Sequence, residues 1–215
     1  MTSTSTRDRL VAATRAAIRD VGLPGATARE IAGRASANLA AIPYHFGSKE
    51  SLVTEALVAE ARDLLAPVWA LLDADRPGVE RAAAAVTLLN DLFDRSRDQV
   101  PVYLAALSAA PHQAEVRDGL GALWSDLRSR LADDVAAQAD QGLLPAWVDP
   151  QAMAALILAL VNGVVVSSVV DPDGPDHRAV AGQFLALLAV GATTGGPVGR
   201  DPVARSDRRR GRGAR

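Results

Sequence analysis

Cysteine is absent from this chain of 215 residues, which excludes a disulfide framework, thiolate metal sites and thiol catalysis. The opening MTSTSTRDRL has no apolar signal-peptide core, so a cytoplasmic location is expected. No segment alternates apolar and polar residues between hairpin turns, and an all-α fold follows. Histidine is scarce as well. His45, His112 and His177 stand too far apart for a helical metal pair, and the P-loop, GxSxG and HExxH patterns are missing. No metal, cofactor or catalytic residue is therefore assigned. Separate residues can still converge in space, which leaves an all-helical dimeric enzyme open as an alternative.

Lysine is almost missing too: Lys49 is the only one among 23 basic residues. Acidic and basic side chains nearly cancel over the whole chain, at a net charge of −2, but not locally. Residues 1–50 carry seven bases and four acids, residues 51–199 nine and nineteen, and residues 200–215 seven and two. A basic head on an acidic body would present only the head to a polyanion. The last residues, TTGGPVGRDPVARSDRRRGRGAR, are rich in Gly, Pro and Arg without apolar periodicity, which predicts a disordered basic tail. It is either inert or adds nonspecific DNA affinity through counterion release. With 49% hydrophobic residues the remainder has material for a sizeable core.

The stretch ATAREIAGRASANLAAIPYHFGSKESL, residues 26–52, reads as two short helices, a tight turn and a third helix start. Thr27 and Glu30 have capping-box spacing. Ile31, Ala32 and Ala35 share one face, small enough for a second helix to cross closely. Asn38 is the expected N-cap of that second helix, on which Leu39, Ile42 and Phe46 form a buried stripe. Ala40, Ala41, Tyr44 and His45 lie off the stripe and are left to face a DNA groove. Gly47 suits the helix end and Ser48 caps the next helix, placing Lys49 in a first turn where the macrodipole disfavours a cation by about 0.3–1 kcal/mol. A phosphate at that helix N-terminus would account for it. This is a helix-turn-helix.

The pattern Thr27, Arg29, Ile31, Ala32, Ala35, Ile42, Tyr44, His45, Phe46, Ser48, Lys49, Glu50 and Leu52 resembles the TetR family of bacterial transcriptional regulators. It covers roughly the first 60 residues strongly, and the stretch from Gln141, QGLLPAWVDPQAMAALILALVNGVVV, is similar to the entry into that family's dimerisation helices. The resemblance implies Thr27 and Arg29 near the DNA backbone or a base edge, Ala40, Ala41, Pro43 and Tyr44 in the major groove, and His45 and Lys49 on phosphates. Asn38 joins this DNA-binding set. Pro43 departs from the family, which more often has an aromatic residue or asparagine there. As the fifth residue after an Asn38 cap it would lack an amide that bonds Leu39, predicting a short or locally distorted helix. Its ring either packs on a thymine methyl or makes no base contact. Thr27 also reads as a cap alone, Arg29 as a solvated charge, and Tyr44 and His45 as half-buried helix residues.

Helical periodicity continues through the chain, giving about nine helices in all. A first helix is expected from Arg7 to Val21 with Leu10, Ala13, Ala17, Ile18 and Val21 inward and Gly22 as its stop. A fourth is expected from Lys49 towards Leu72, kinked or ended by Pro67. Others are expected from Pro77 to Arg97, Pro101 to Ala110 and Gln113 to Gln141. Residues 152–170 carry no charge and would suffice in length for a membrane span. Their acidic flanks, Asp149, Asp171, Asp173 and Asp176, argue instead for a helix buried in protein, with no membrane. Beside a last helix from Asp176 to Val190, with Val180, Phe184, Leu187 and Leu188 inward, it would build a four-helix homodimer interface.

The domains expected are 1–50 for DNA binding, 51–192 for ligand binding and dimerisation, and 193–215 for the tail. The function expected is a dimeric repressor on a palindromic double-stranded DNA operator. The resemblance implies a small-molecule effector, and the few interior charges suggest an apolar or weakly polar one. Candidate wall residues are Trp69, Phe93, Tyr103, Leu107, Trp124, Leu127 and Asn162, which read equally as ordinary core. A helical protein-interaction scaffold is the remaining alternative, and it leaves Lys49 unexplained.

Overall fold

The computed structural model describes residues 5–74, 98–145, 147–171 and 173–176, together with positions 80, 84, 87, 88, 178–180, 182–184, 186 and 187. Among the described residues all regular structure is helical, and seven helices have described ends. Of the expected helix at 77–97 only positions 80, 84, 87 and 88 are described, all helical, and Phe93, Leu188 and the tail at 193–215 lie outside the described residues.

Helix α1, Thr6–Gly25, starts at Ser5, whose hydroxyl accepts from the Asp8 amide at 3.1 Å. Leu10, Ala13, Thr14, Ala17 and Ile18 are buried at the i, i+3, i+4, i+7 spacing of one helix face. Gly22, at φ 73°, breaks the helical path where a stop was expected. Val21 is exposed rather than inward, because the chain turns at Gly22 and Gly25 folds back against it: a Cβ on Gly25 would come within 2.8 Å of Val21 Cγ2.

Helix α2, Ala28–Arg34, is capped by Thr27, whose Oγ1 accepts from the Glu30 amide at 3.2 Å. Only half of the expected capping box forms. The Glu30 carboxylate accepts instead from Arg34 Nε at 2.7 Å, and Arg34 also donates to Asp20 on α1. The helix ends in a Schellman turn, with Ala37 N donating to Ala32 O and Ser36 N to Gly33 O. Ser36 takes the left-handed position at φ 49°, the one non-glycine residue with positive φ among the described residues.

Helix α3, Ala41–Phe46, begins later than expected. Asn38 Oδ1 accepts from Ala40 N at 2.9 Å, an Asx turn that holds residues 38–40 outside the helix. Leu39 therefore misses the buried stripe and is 50% exposed, whereas Ile42 is buried and Phe46 half-buried. Pro43 becomes the third helical residue, where an amide has no intrahelical partner to lose. The helix is short, as expected, but the late start and not the proline accounts for it.

Helix α4, Lys49–Leu72, is capped by Ser48, whose hydroxyl accepts from Ser51 N at 3.0 Å. It continues through Pro67 to Leu72 instead of ending there. Pro67 and Asp63, the residue whose carbonyl loses its partner, are both exposed, so water can take that carbonyl. Helices α5, Val100–Ala109, α6, Ala114–Asp140, and α7, Pro150–Val170, follow. Asp149 caps α7 by accepting from Ala152 N at 2.7 Å.

α4 packs against α1 and α3 near its start and against α5 and α6 beyond, and α6 pairs extensively with α7. At the α4–α6 crossing a Cβ on Gly119 would sit 2.7 Å from Val58 Cγ2, so only glycine allows so close an approach. One apolar cluster runs from Leu10, Ile31 and Ile42 through Leu52 and Leu57 to Val102, Val116 and Leu120. Each such side chain contributes about 1.5–3 kcal/mol on burial. Head and body are thus mechanically one core. A second, smaller cluster of Val135, Val148 and Met153 draws in Phe184 from the final segment.

Candidate nucleic-acid interface

Ile31, Ala32 and Ala35 from α2 and Ile42 from α3 are all buried, and they seat the two short helices on α1 and α4. Phe46 fixes the far end of α3. The Arg7 guanidinium lies 5.1 Å over its ring and also bonds Glu55 on α4.

Six of the nine residues expected to bind DNA are outward. Thr27, Arg29, Asn38, Ala40, Pro43 and Tyr44 are exposed, while Ala41, His45 and Lys49 are half-buried. Tyr44 is 84% exposed, and the His45 ring stands edge-on to it, with centroids 4.8 Å apart at 82°. Thr27 spends an oxygen lone pair on the α2 cap but keeps its hydroxyl hydrogen for an acceptor. Arg29 makes no ion pair among the described residues. Lys49 Nζ lies 3.7 Å from the Glu50 carboxylate, beyond hydrogen-bond distance. With Ser51 N taken by the cap, the Lys49 and Glu50 amides have no intrahelical partner. An anion placed there would meet oriented N–H groups and an ammonium together. Within the helix-turn-helix, Leu39 is the residue that periodicity misplaced: its exposure follows from the Asx turn, which a reading of apolar spacing cannot see.

The candidate ligand residues meet in part. Tyr103 donates from its hydroxyl to Asn162 Oδ1 at 2.7 Å, and Asn162 Nδ2 donates to Leu158 O at 2.8 Å, joining α5 to α7. Burial pushes the Tyr103 phenol up from its ordinary value, and a hydrogen bond from Trp124 opposes the rise. Trp69 and Leu107 pack against the same core, and the Trp69 indole N–H is buried with no partner among the described residues. Leu127 is buried on α6, one turn beyond Leu123 and Trp124. Phe93 lies outside the described residues. An open groove of about 920 Å³ lies elsewhere, between α4 and the start of α6, lined by Glu50, Thr54, Glu55, Arg62, His112 and Glu115 among others.

α7 is long and apolar enough to cross a membrane, and only 17% of its apolar window is buried within the chain. Leu156, Val166, Val169 and Val170 are exposed, together with Leu187 from the final segment. The expectation that the α7 segment is buried in protein is therefore not met inside one chain.

Residues 10–56 match the family described as bacterial regulatory proteins, tetR family, and residues 78–190 match BetI-type transcriptional repressor, C-terminal. No curated protein matches the chain significantly. Several solved structures share the fold. A transcriptional regulator from Rhodococcus sp. Rha1 is 23% identical, with a TM-score of 0.70 over 87% of this chain and 97% of its own. A TetR transcription regulator from Haloarcula marismortui is 19% identical, with a TM-score of 0.73 over 86% and 97%. A structure from Saccharomonospora viridis in complex with choline is 21% identical, with a TM-score of 0.72 over 84% and 95%. The outward helix-turn-helix on a helical body, matched at both ends by the family's own patterns, is that of a transcriptional regulator, and this chain belongs to the TetR family.

Proposed function

We propose that the protein is a cytoplasmic, ligand-responsive repressor that binds a two-fold operator as a homodimer, with residues 1–50 reading the DNA. The observation that carries this is the split between anchored and outward residues in the helix-turn-helix. Ile31 and Ile42 are buried beneath it, while Tyr44 is exposed, as is Arg29, and Lys49 has no ion pair within hydrogen-bond distance among the described residues. Two such heads on a symmetric dimer meet successive turns of one duplex face, about 34 Å apart. The exposed apolar face of α7 supports dimerisation through the body, residues 51–192.

The body takes a small, largely apolar effector with a hydrogen-bond acceptor. Support for this is the Trp69 indole N–H, buried without a partner among the described residues, and the hydrogen-bonded Tyr103 and Asn162, with Trp69 and Tyr103 in one apolar cluster. Choline, held by the S. viridis structure, is the first compound to test. Because head and body share one core, an effector that prefers a different α4 position changes operator affinity by its preference between the two states.

The test is a gel shift with DNA flanking the protein's own gene. Arg29→Ala and Lys49→Ala should each weaken binding and lower the slope of log affinity against log salt by about 0.9 per lost phosphate contact. Helicity and dimerisation should stay intact. Unchanged affinity in both variants would remove the assignment. A purely enzymatic or scaffolding role predicts no shift at all.

A further inference from the structure

The recognition segment offers few side chains that can read a base by hydrogen bonds: Asn38, Tyr44 and His45 are the main ones. Residues 35–48, ASANLAAIPYHFGS, include no Arg, Lys, Gln, Asp or Glu, so the usual bidentate contact to guanine O6 and N7 has no donor here. Asn38 is the residue suited to adenine, but that contact needs its carbonyl oxygen and its amide together. Oδ1 spends one of its two lone pairs on Ala40 N at 2.9 Å, which fixes the side chain in the turn. Asn38 can therefore offer an adenine contact only from the orientation that the turn imposes. Of the outward side chains at 39–44, Leu39, Ala40 and Pro43 are apolar, and Tyr44 adds a ring with one hydroxyl. Leu39 stands half exposed in the turn ahead of α3. The one apolar feature that a standard base pair shows in the major groove is the thymine C5 methyl.

We propose that Leu39 is a specificity-determining residue and that this protein recognises its operator chiefly through thymine methyl groups, with Leu39 and Pro43 packing on them. This rests on the DNA-reading assignment above. The cations flanking the surface, Arg29 and Lys49, hold the backbone and leave the choice of sequence to apolar contact.

Deoxyuridine in place of thymidine removes that methyl and leaves base pairing unchanged, so the test needs no altered protein. A duplex selected from random-sequence DNA by the full-length protein is remade with deoxyuridine at every thymine of both half-sites. Burying one methyl is worth about fourfold in affinity, so a symmetric pair is worth about fifteenfold. Binding should weaken by at least that factor. Single replacements should locate the position at which Leu39→Ala no longer distinguishes thymine from uracil. Equal affinity for the two duplexes overturns the proposal while DNA binding stands. Equal weakening of both by Leu39→Ala removes Leu39 from the assignment. Failure to select any duplex would instead overturn the DNA-reading function itself.

Discussion

Glu60 is 1% exposed, between α1 and α4, and it is a charged side chain in the seam that joins head to body. Its Oε2 lies 3.1 Å from Arg15 Nε, while Oε1 is buried without a hydrogen-bond partner among the described residues. Arg15 reaches on to Asp63 at 2.7 Å. Burial raises the Glu60 pKa above its ordinary value, Arg15 and Arg19 oppose the rise, and Asp63 adds to it. A carboxyl that holds its proton more tightly when folded gives the folded state the extra proton between the ordinary and the raised value. The stability contributed by this group is therefore full below that window and is lost as pH rises through it. Glu60→Gln keeps the shape without the titration, and Arg15 still has Asp63. Urea melts from about pH 5 to about pH 8 should show wild-type stability declining relative to the variant. Equal slopes in the two proteins would place the titration elsewhere.

Among the elements, the α2–α3 connection is under the most constraint. Ser36 occupies the left-handed position of the Schellman turn, which costs a residue with a Cβ roughly 1–2 kcal/mol. Glycine would relieve that strain but gives back about 0.5–1 kcal/mol through the freer unfolded chain, so Ser36→Gly should stabilise by about 0–1.5 kcal/mol. A β-branched residue is worse placed there, and Ser36→Val should lower the denaturation midpoint instead. The opposite order in melts would mean that the turn is not held as observed. This connection also marks where the sequence stopped being legible. The helices themselves were readable: the α4 bounds were anticipated, and α6 ends at the anticipated Gly142, with φ 71°. Their apolar spacing is long and their caps lie close to the first turn. Asn38 misled because its side chain serves an Asx turn as readily as a helix cap, and residues 38–40 followed the turn. One shifted start moved Leu39 from core to surface and Pro43 from mid-helix to first turn. Glu30 misled similarly, since Arg34 was a better partner for its carboxylate than a backbone amide. The outward set around Tyr44 survived these shifts because Ile31 and Ile42 fix which face is buried.

At the scale of the molecule, the α7 face makes the single chain incomplete. Leu156, Val166, Val169 and Val170 form an apolar strip far larger than an isolated exposed residue. The acids at Asp149 and Asp171 that flank the helix fit an aqueous setting better than lipid headgroups. A second copy of the strip is the partner that closed two-fold symmetry supplies, and a stable interface needs about 1,200–2,000 Å² in total. Operator binding then depends on it, because joining two heads can raise affinity by about a hundredfold or more over one. Val169→Arg tests the link, since Val169 is 52% exposed in the single chain and the substitution leaves the chain's own core untouched. Across a two-fold contact the new charge would be buried beside its symmetry mate, with neither one paired. Sedimentation should fall from twice the 22.4 kDa chain mass to that mass. Affinity for a two-half-site operator should drop by about a hundredfold or more, with half-site affinity unchanged. A variant that stays dimeric, or binds the full operator as well as wild type, would move the interface away from α7.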